Sequence, residues 1–183
     1  MNTFNRFQEN QYVLHGCPPD GNCLFSALRV CRLVCTNLLV PSFSDRADGG
    51  LRCRKDFLAW VRPLLIDDQI VPNSDGLSIR NLLLDTRWAS TVDEYLSAMS
   101  PPIESRSQWG GWGEALCVAH EWKLQVAIFV RFSDGSLALC VGPAGLAGAS
   151  GVMCLLWSRT HYDAIRLNPP ADVSQLFPAA VWA

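Results

Sequence analysis

Periodicity changes character once along this chain, at Gln125. Before that point apolar residues recur at helical spacing. After it come short β-like runs separated by turn signals. Asn22 to Cys35 predicts a helix with Leu24, Leu28, Cys31 and Cys35 along one side. Pro41 to Gly50 reads as a loop. "RKDFLAWVRPLL" follows as a helix with Phe57, Trp60, Val61 and Leu64 in phase, and Pro63 marks its end or a kink. Ser78 is a plausible N-cap for a helix reaching Trp88. Thr91 and Glu94 form a capping-box pattern ahead of "YLSAM", and after the loop "SPPIESRSQ" a further helix opens at Trp112. Beyond Gln125, "QVAIFVRF" and "SLALCV" are joined by the hairpin signal "SDG", and "VMCLLW" and "YDAIRL" add two more strands. Helices first and strands last predict an α+β domain, with helices packed on a largely antiparallel sheet. No repeat, long linker or second domain interrupts residues 1–183, so one domain is expected. Its tail, with Pro169, Pro170 and Pro178, reads as a loosely docked end.

Composition narrows the function classes. The chain has 183 residues, 49% apolar and 17% charged, enough apolar surface for a real core. Fifteen basic and seventeen acidic side chains give a net charge of −2, and no Lys/Arg block supports a nucleic-acid surface. Residues 136–158 carry no charge, which raises the question of a membrane span. Four glycines and a proline in "VGPAGLAGASG" argue instead for two strands and a flexible loop. "MNTFNRFQENQ" lacks the apolar stretch of a signal peptide, so the expected setting is a reducing cytoplasm with the eight cysteines as free thiols. Cys117 and His120 share helical spacing, but no second ligand pair accompanies them and no zinc site is expected.

One cysteine stands apart. Cys23 sits where the turn Asp20-Gly21-Asn22 meets a helix start. Helix N-termini present unpaired N–H groups and a favourable dipole, which can lower a thiol's pKa and hold an oxyanion. A nucleophilic thiol also needs a base. His120 and His15 have no acid placed to orient them. His161 opens "HYDAIRL", where residues two apart share a face, so Asp163 could accept its ring N–H. Cys23, His161 and Asp163 thus form a coherent nucleophile, base and orienter. Taken singly, each also fits a packing role, so the residues leave both readings open.

The motifs carry a resemblance. "DGNCLF" at 20–25, "WGG" at 109–111 and "HYD" at 161–163 resemble, in order, the signature blocks of ovarian tumour (OTU) domain cysteine proteases, over about residues 16–168. "DEYLSAMS…WGG" and "THYDAIRLNP" are most similar to the viral branch, as in nairoviruses. The resemblance implies a papain-like α+β fold. It also implies cleavage of the bond after ubiquitin's C-terminal glycine, and possible action on the interferon-induced ubiquitin-like modifier. It assigns Cys23 as nucleophile, His161 as base and Asp163 as third member, with an oxyanion hole at Asp20, Gly21 and Asn22, chiefly through backbone. It needs no cofactor and no metal. Expected partners are ubiquitin and its relatives, met as a monomer or as part of a larger viral protein in the host cytoplasm. Nucleic acid and membrane are not expected partners. A Gly-Gly tail requires a narrow groove; Trp109, Gly110 and Tyr162 are its candidate walls, although Trp109 also fits a core role. Gly110 and Gly111 mark either a close backbone approach or a turn. Trp60, Trp88, Trp112, Trp122 and Trp157 read as packing. Processing of a viral polyprotein and non-catalytic ubiquitin binding are the alternatives; the intact Cys23, His161 and Asp163 count against the second.

Overall fold

Apolar runs such as "VAIFV" and "VMCLLW" have no polar alternate face, so a sheet built from them must be covered on both sides. The computed structural model, which describes residues 6–70, 78–87, 89–103, 108–145 and 149–168, shows such a sheet. Its strands are β1 (Tyr12–His15), β2 (Gln125–Arg131), β3 (Leu137–Gly145), β4 (Val152–Trp157) and β5 (Tyr162–Leu167), in the order β1-β5-β4-β2-β3. Helices α1 (Cys23–Cys35), α2 (Phe43–Ile66), α3 (Ile79–Arg87), α4 (Val92–Met99) and α5 (Trp112–Glu121) complete the α+β architecture.

The sheet is antiparallel except at β2 and β4, which run parallel. The "SDG" hairpin folds β3 to the outer side of β2, and the chain then crosses back to lay β4 on the inner side. Asp134 Oδ1 accepts from the N–H and hydroxyl of Ser136, and Gly135 takes the positive φ of 81° that the turn requires. Val126, Ile128, Met153, Leu155 and Ala164 share the main core with α1 and α5. Ala127, Phe129, Cys154, Leu156, Ile165 and Leu167 line the other face. Phe7 and Tyr12 cover that second face. Phe7 exchanges backbone hydrogen bonds with Leu137 and meets Phe129 edge-on at 5.7 Å. Tyr12 donates its hydroxyl to the Gly135 carbonyl at 2.9 Å. Residues 6–15 therefore form a strap that ends in β1.

Residues 41–50 are not the expected loop. α2 starts at Phe43, and the Ser42 hydroxyl accepts from the Asp45 N–H at 3.4 Å as its N-cap. Gly49 and Gly50 lie inside the helix, buried against α1. A Cβ on Gly50 would collide with Ser26 Oγ, and one on Gly49 with the Arg29 guanidinium. These glycines permit a close helix crossing. Pro63 sits in the last turn of α2. The expected caps form: Ser78 Oγ accepts from the Asn81 N–H, and Thr91 and Glu94 bond reciprocally. Trp88 and the tail from Pro169 lie outside the described residues. No helix among the described residues is long and apolar enough to cross a membrane.

α1 lies on β4 and β5. The Cys31 and Cys35 thiols donate to the carbonyls of Cys154 and Val152, at 3.1 and 3.5 Å. All eight cysteines are free. Burial pushes Cys17, Cys53 and Cys154 from an ordinary 9.0 up to about 12. The folded chain holds these protons where the unfolded chain releases them. Their contribution is complete below pH 9.0 and is lost as pH rises toward 12, at up to about 1.4 kcal/mol per pH unit for each thiol. Thermal denaturation with reductant should show the melting temperature falling above about pH 9, and Cys53→Ala should flatten that fall. An unchanged slope would remove Cys53 from the account.

Candidate active site

The turn before α1 is held from within. Asp20 Oδ1 accepts from the Asn22 N–H at 2.9 Å, and Gly21 adopts φ of 79°. A side chain at Gly21 would also lack space: a Cβ there would lie 2.5 Å from Ile103 Cγ2 and 3.2 Å from Trp109 Nε1. The Asn22 carbonyl accepts the Ser26 N–H, closing the first turn of the helix. Cys23 is the first helical residue and is 3% exposed. The Asn22 N–H, expected to face an oxyanion, is engaged by Asp20 instead. Cys23's own N–H heads the unpaired donors of the first turn.

The imidazole arrives from the other end of the chain. His161 immediately precedes β5, and its Nε2 lies 3.0 Å from Asp163 Oδ1. The same carboxylate oxygen accepts the Cys17 N–H at 2.7 Å, which ties Asp163 to the segment leading into the turn. With Nε2 facing the carboxylate, Nδ1 remains as the ring's proton acceptor. His15 pairs with Ala164 across β1 and β5, and burial with the Arg46 and Arg166 charges lowers its pKa. His120 closes α5. Neither lines the cleft that holds Cys23.

That cleft has a volume of about 260 Å³ and is lined by Cys23, Trp109, Gly110, Trp157, Arg159, Thr160 and Tyr162. The structure thus brings the front, middle and back motifs together. A larger cleft of about 580 Å³, between α1, α2 and α5, contains none of them. Cys23 shares this cleft with Tyr162, the residue that follows His161. Burial pushes the Cys23 thiol's pKa up, the Tyr162 and Leu24 backbone N–H groups favour the thiolate less strongly, and the Asp20 and Asp163 carboxylates oppose ionisation further. The net direction is upward. The lowering expected of a thiol at a helix start therefore loses to desolvation.

No family model and no curated protein matches this chain. Its folded form is similar to solved structures. One is the OTU of Hazara virus bound to ubiquitin, with 20% identity over 90% of this chain and 87% of that one and a TM-score of 0.54. Another is the OTU domain of OTUD1, at 16%, 84%, 85% and 0.54. A third is the viral OTU domain protease from Dera Ghazi Khan virus, at 17%, 89%, 86% and 0.53. The fold is that of an OTU domain.

Within this OTU fold the two glycines after Trp109 do different work. A Cβ on Gly110 would lie 2.5 Å from Leu24 Cδ2 and 3.1 Å from Phe25 Cε2, so it marks a close approach to α1. Gly111 is the N-cap of α5 and donates its N–H to Glu114 Oε2 at 2.8 Å. Sequence reading placed Trp157 in the core; it packs there and also lines the cleft. Arg159 and Thr160 gave no sequence signal, because they reach the cleft only through the β4–β5 turn. Arg159 occupies that turn with φ of 58°. Among the described residues no group of three His, Cys, Asp or Glu side chains could hold a metal.

Two measurements test this geometry. Gly110→Ala should destabilise the domain by about 1–3 kcal/mol in chemical denaturation, from overpacking against α1. An unchanged midpoint would mean that Leu24 and Phe25 give way freely. Alkylation of Cys23 by iodoacetamide, followed by peptide mass spectrometry, should accelerate with pH to above the ordinary thiol value of 9.0. A plateau near neutrality would show a resting thiolate instead.

Proposed function

We propose that this chain is a cysteine hydrolase that cleaves the bond following ubiquitin's C-terminal glycine. The observation that carries the reading is the His161–Asp163 pair, 3.0 Å apart, flanking Tyr162, which shares an aromatic cleft with Cys23. The similarity to an OTU solved with ubiquitin bound supports the substrate class.

The chemistry follows from the raised thiol pKa. A thiol that stays protonated at rest needs its proton removed as it attacks. In this reading His161 Nδ1 takes the proton while the Cys23 sulfur bonds to the scissile carbonyl carbon. Negative charge then develops on the carbonyl oxygen, near the Cys23 N–H. The imidazolium gives its proton to the leaving amine and a thioester remains. Water attacks the thioester, His161 takes a proton from the water, and that proton returns to the departing sulfur. Asp163 keeps Nε2 protonated and stabilises the imidazolium throughout. Trp109, Trp157 and Tyr162 exclude water and leave a passage suited to residues without side chains. The interferon-induced modifier, which shares the tail chemistry in this reading, is the second substrate to test. The proposed setting is the host cytoplasm, with the domain acting alone or within a larger viral protein.

A ubiquitin carrying a C-terminal electrophile should label the wild type and leave Cys23→Ala unlabelled. His161→Ala should lose about 10³-fold or more in turnover, since base and acid vanish together. Asp163→Asn should lose less, about ten- to a hundredfold, because one oxygen, Oδ1, accepts both the ring and the Cys17 N–H and an amide oxygen can replace it. Asp163→Ala should approach the His161→Ala loss. Ubiquitin binding by Cys23→Ala, with no labelling of the wild type, would establish a binding module in place of an enzyme.

A further inference from the structure

We infer that Arg54 is a positioning residue for this reaction, holding the turn before Cys23 and the segment before Trp109 in fixed orientation. The inference rests on the proposed role of Cys23. Arg54 lies on α2 and is 0% exposed. A guanidinium is so placed only where fixed acceptors satisfy it. Its Nη2 group donates to the Gly21 and Gln108 carbonyls, each at 2.9 Å, and Nη1 donates to the Met99 carbonyl at 3.4 Å. Its Cζ stands 4.9 Å from the ring centroid of Phe25, two residues beyond Cys23.

The acceptors belong to separate segments: the nucleophile turn, the end of α4, and the residue before Trp109. One amino group bridges the first and the last. A peptide unit is planar, so fixing its carbonyl fixes its N–H. The Gly21–Asn22 peptide is held at both ends, its carbonyl by Arg54 and its N–H by Asp20 Oδ1. The next amide along the chain is that of Cys23, the proposed oxyanion donor. The Gln108–Trp109 peptide is held in the same way at its carbonyl, which sets where the cleft wall begins. Hydrophobic contact between α1 and α2 fixes the distance between helices but not the rotation of these peptides; directional hydrogen bonds do. Arg54 acts through Gly21 and Gln108.

The test compares Arg54→Met, Arg54→Lys and Val61→Ala. Val61 is also 0% exposed on α2 and serves as a matched core truncation. Turnover of a ubiquitin C-terminal reporter, melting temperature, and amide hydrogen exchange at Asn22, Cys23 and Trp109 are measured for each. Arg54→Met should lower kcat about tenfold or more per folded molecule, with a smaller change in KM, as expected for misaimed oxyanion donors. Arg54→Lys should fall between it and wild type, since an ammonium keeps the charge without the planar fork. Val61→Ala should lower the melting temperature and leave kcat unchanged. Exchange at the three amides should speed up in Arg54→Met and not in Val61→Ala.

Wild-type kcat in Arg54→Met, or an equal kcat loss in Val61→Ala at matched melting temperature, overturns the inference. If Arg54→Met does not fold, wild-type kcat and exchange in Arg54→Lys overturn it. If the wild type fails to turn over the reporter, the proposed function fails, and the exchange comparison still decides whether Arg54 orders the turn.

Discussion

The site depends on how α1 lies across β4 and β5. Leu24 and Leu28 enter the core, and the Cys31 and Cys35 thiols donate to β4 carbonyls. Small polarizable thiols let the helix come close to the strands while keeping a weak donor for each carbonyl. That docking fixes the helix in translation as well as tilt. Its first residue, Cys23, therefore arrives where β5 begins, in one cleft with Tyr162. Two segments separated by most of the chain become neighbours because a helix–sheet interface has one good register.

The same closeness sets the chemistry. An exposed helix start would favour a thiolate through its dipole. Cys23 is buried, and desolvation disfavours the charge more than the local N–H groups favour it. Asp163 sharpens the conflict: it orients His161, accepts the Cys17 N–H, and opposes a negative sulfur. In the proposed mechanism, such a thiol holds its proton until a base and a carbonyl are both aligned, which would make reactivity conditional on substrate.

How much of this was legible in the sequence depended on whether the signal was local. The strands after Gln125, the caps at Ser78 and Thr91, and the His161–Asp163 spacing rest on nearby residues, and each could be read directly. α2 was misread at its start because Gly49-Gly50 looks like a break; its meaning lies in Ser26 and Arg29, on another helix. β1 was missed because four residues carry too little periodicity, and its partner β5 is at the far end of the chain. The parallel pairing of β2 and β4 reflects which side of β2 the hairpin takes, a choice the turn residues do not encode. Arg54 was invisible for the same reason. It lies among Arg52 and Lys55, both exposed, and its hydrogen bonds to carbonyls of three distant segments set it apart.

The cleft shows what these non-local contacts accomplish together. Gly21 comes too close to Ile103 and Trp109 for a side chain, and Gly110 too close to Leu24 and Phe25. Both glycines lie where backbone packs on side chain across the border of the site. Such contacts leave little slack, because neither partner can retreat without opening the core behind it. Arg54 supplies the missing directional element, with donors aimed at backbone that apolar packing alone would leave free to rotate. Steric closeness therefore sets the width of the passage, and the buried guanidinium sets the aim of the amides at its end. In the proposed function, a narrow passage with well-aimed amides discriminates by what the incoming chain lacks, which would favour a substrate tail of glycines over one with side chains.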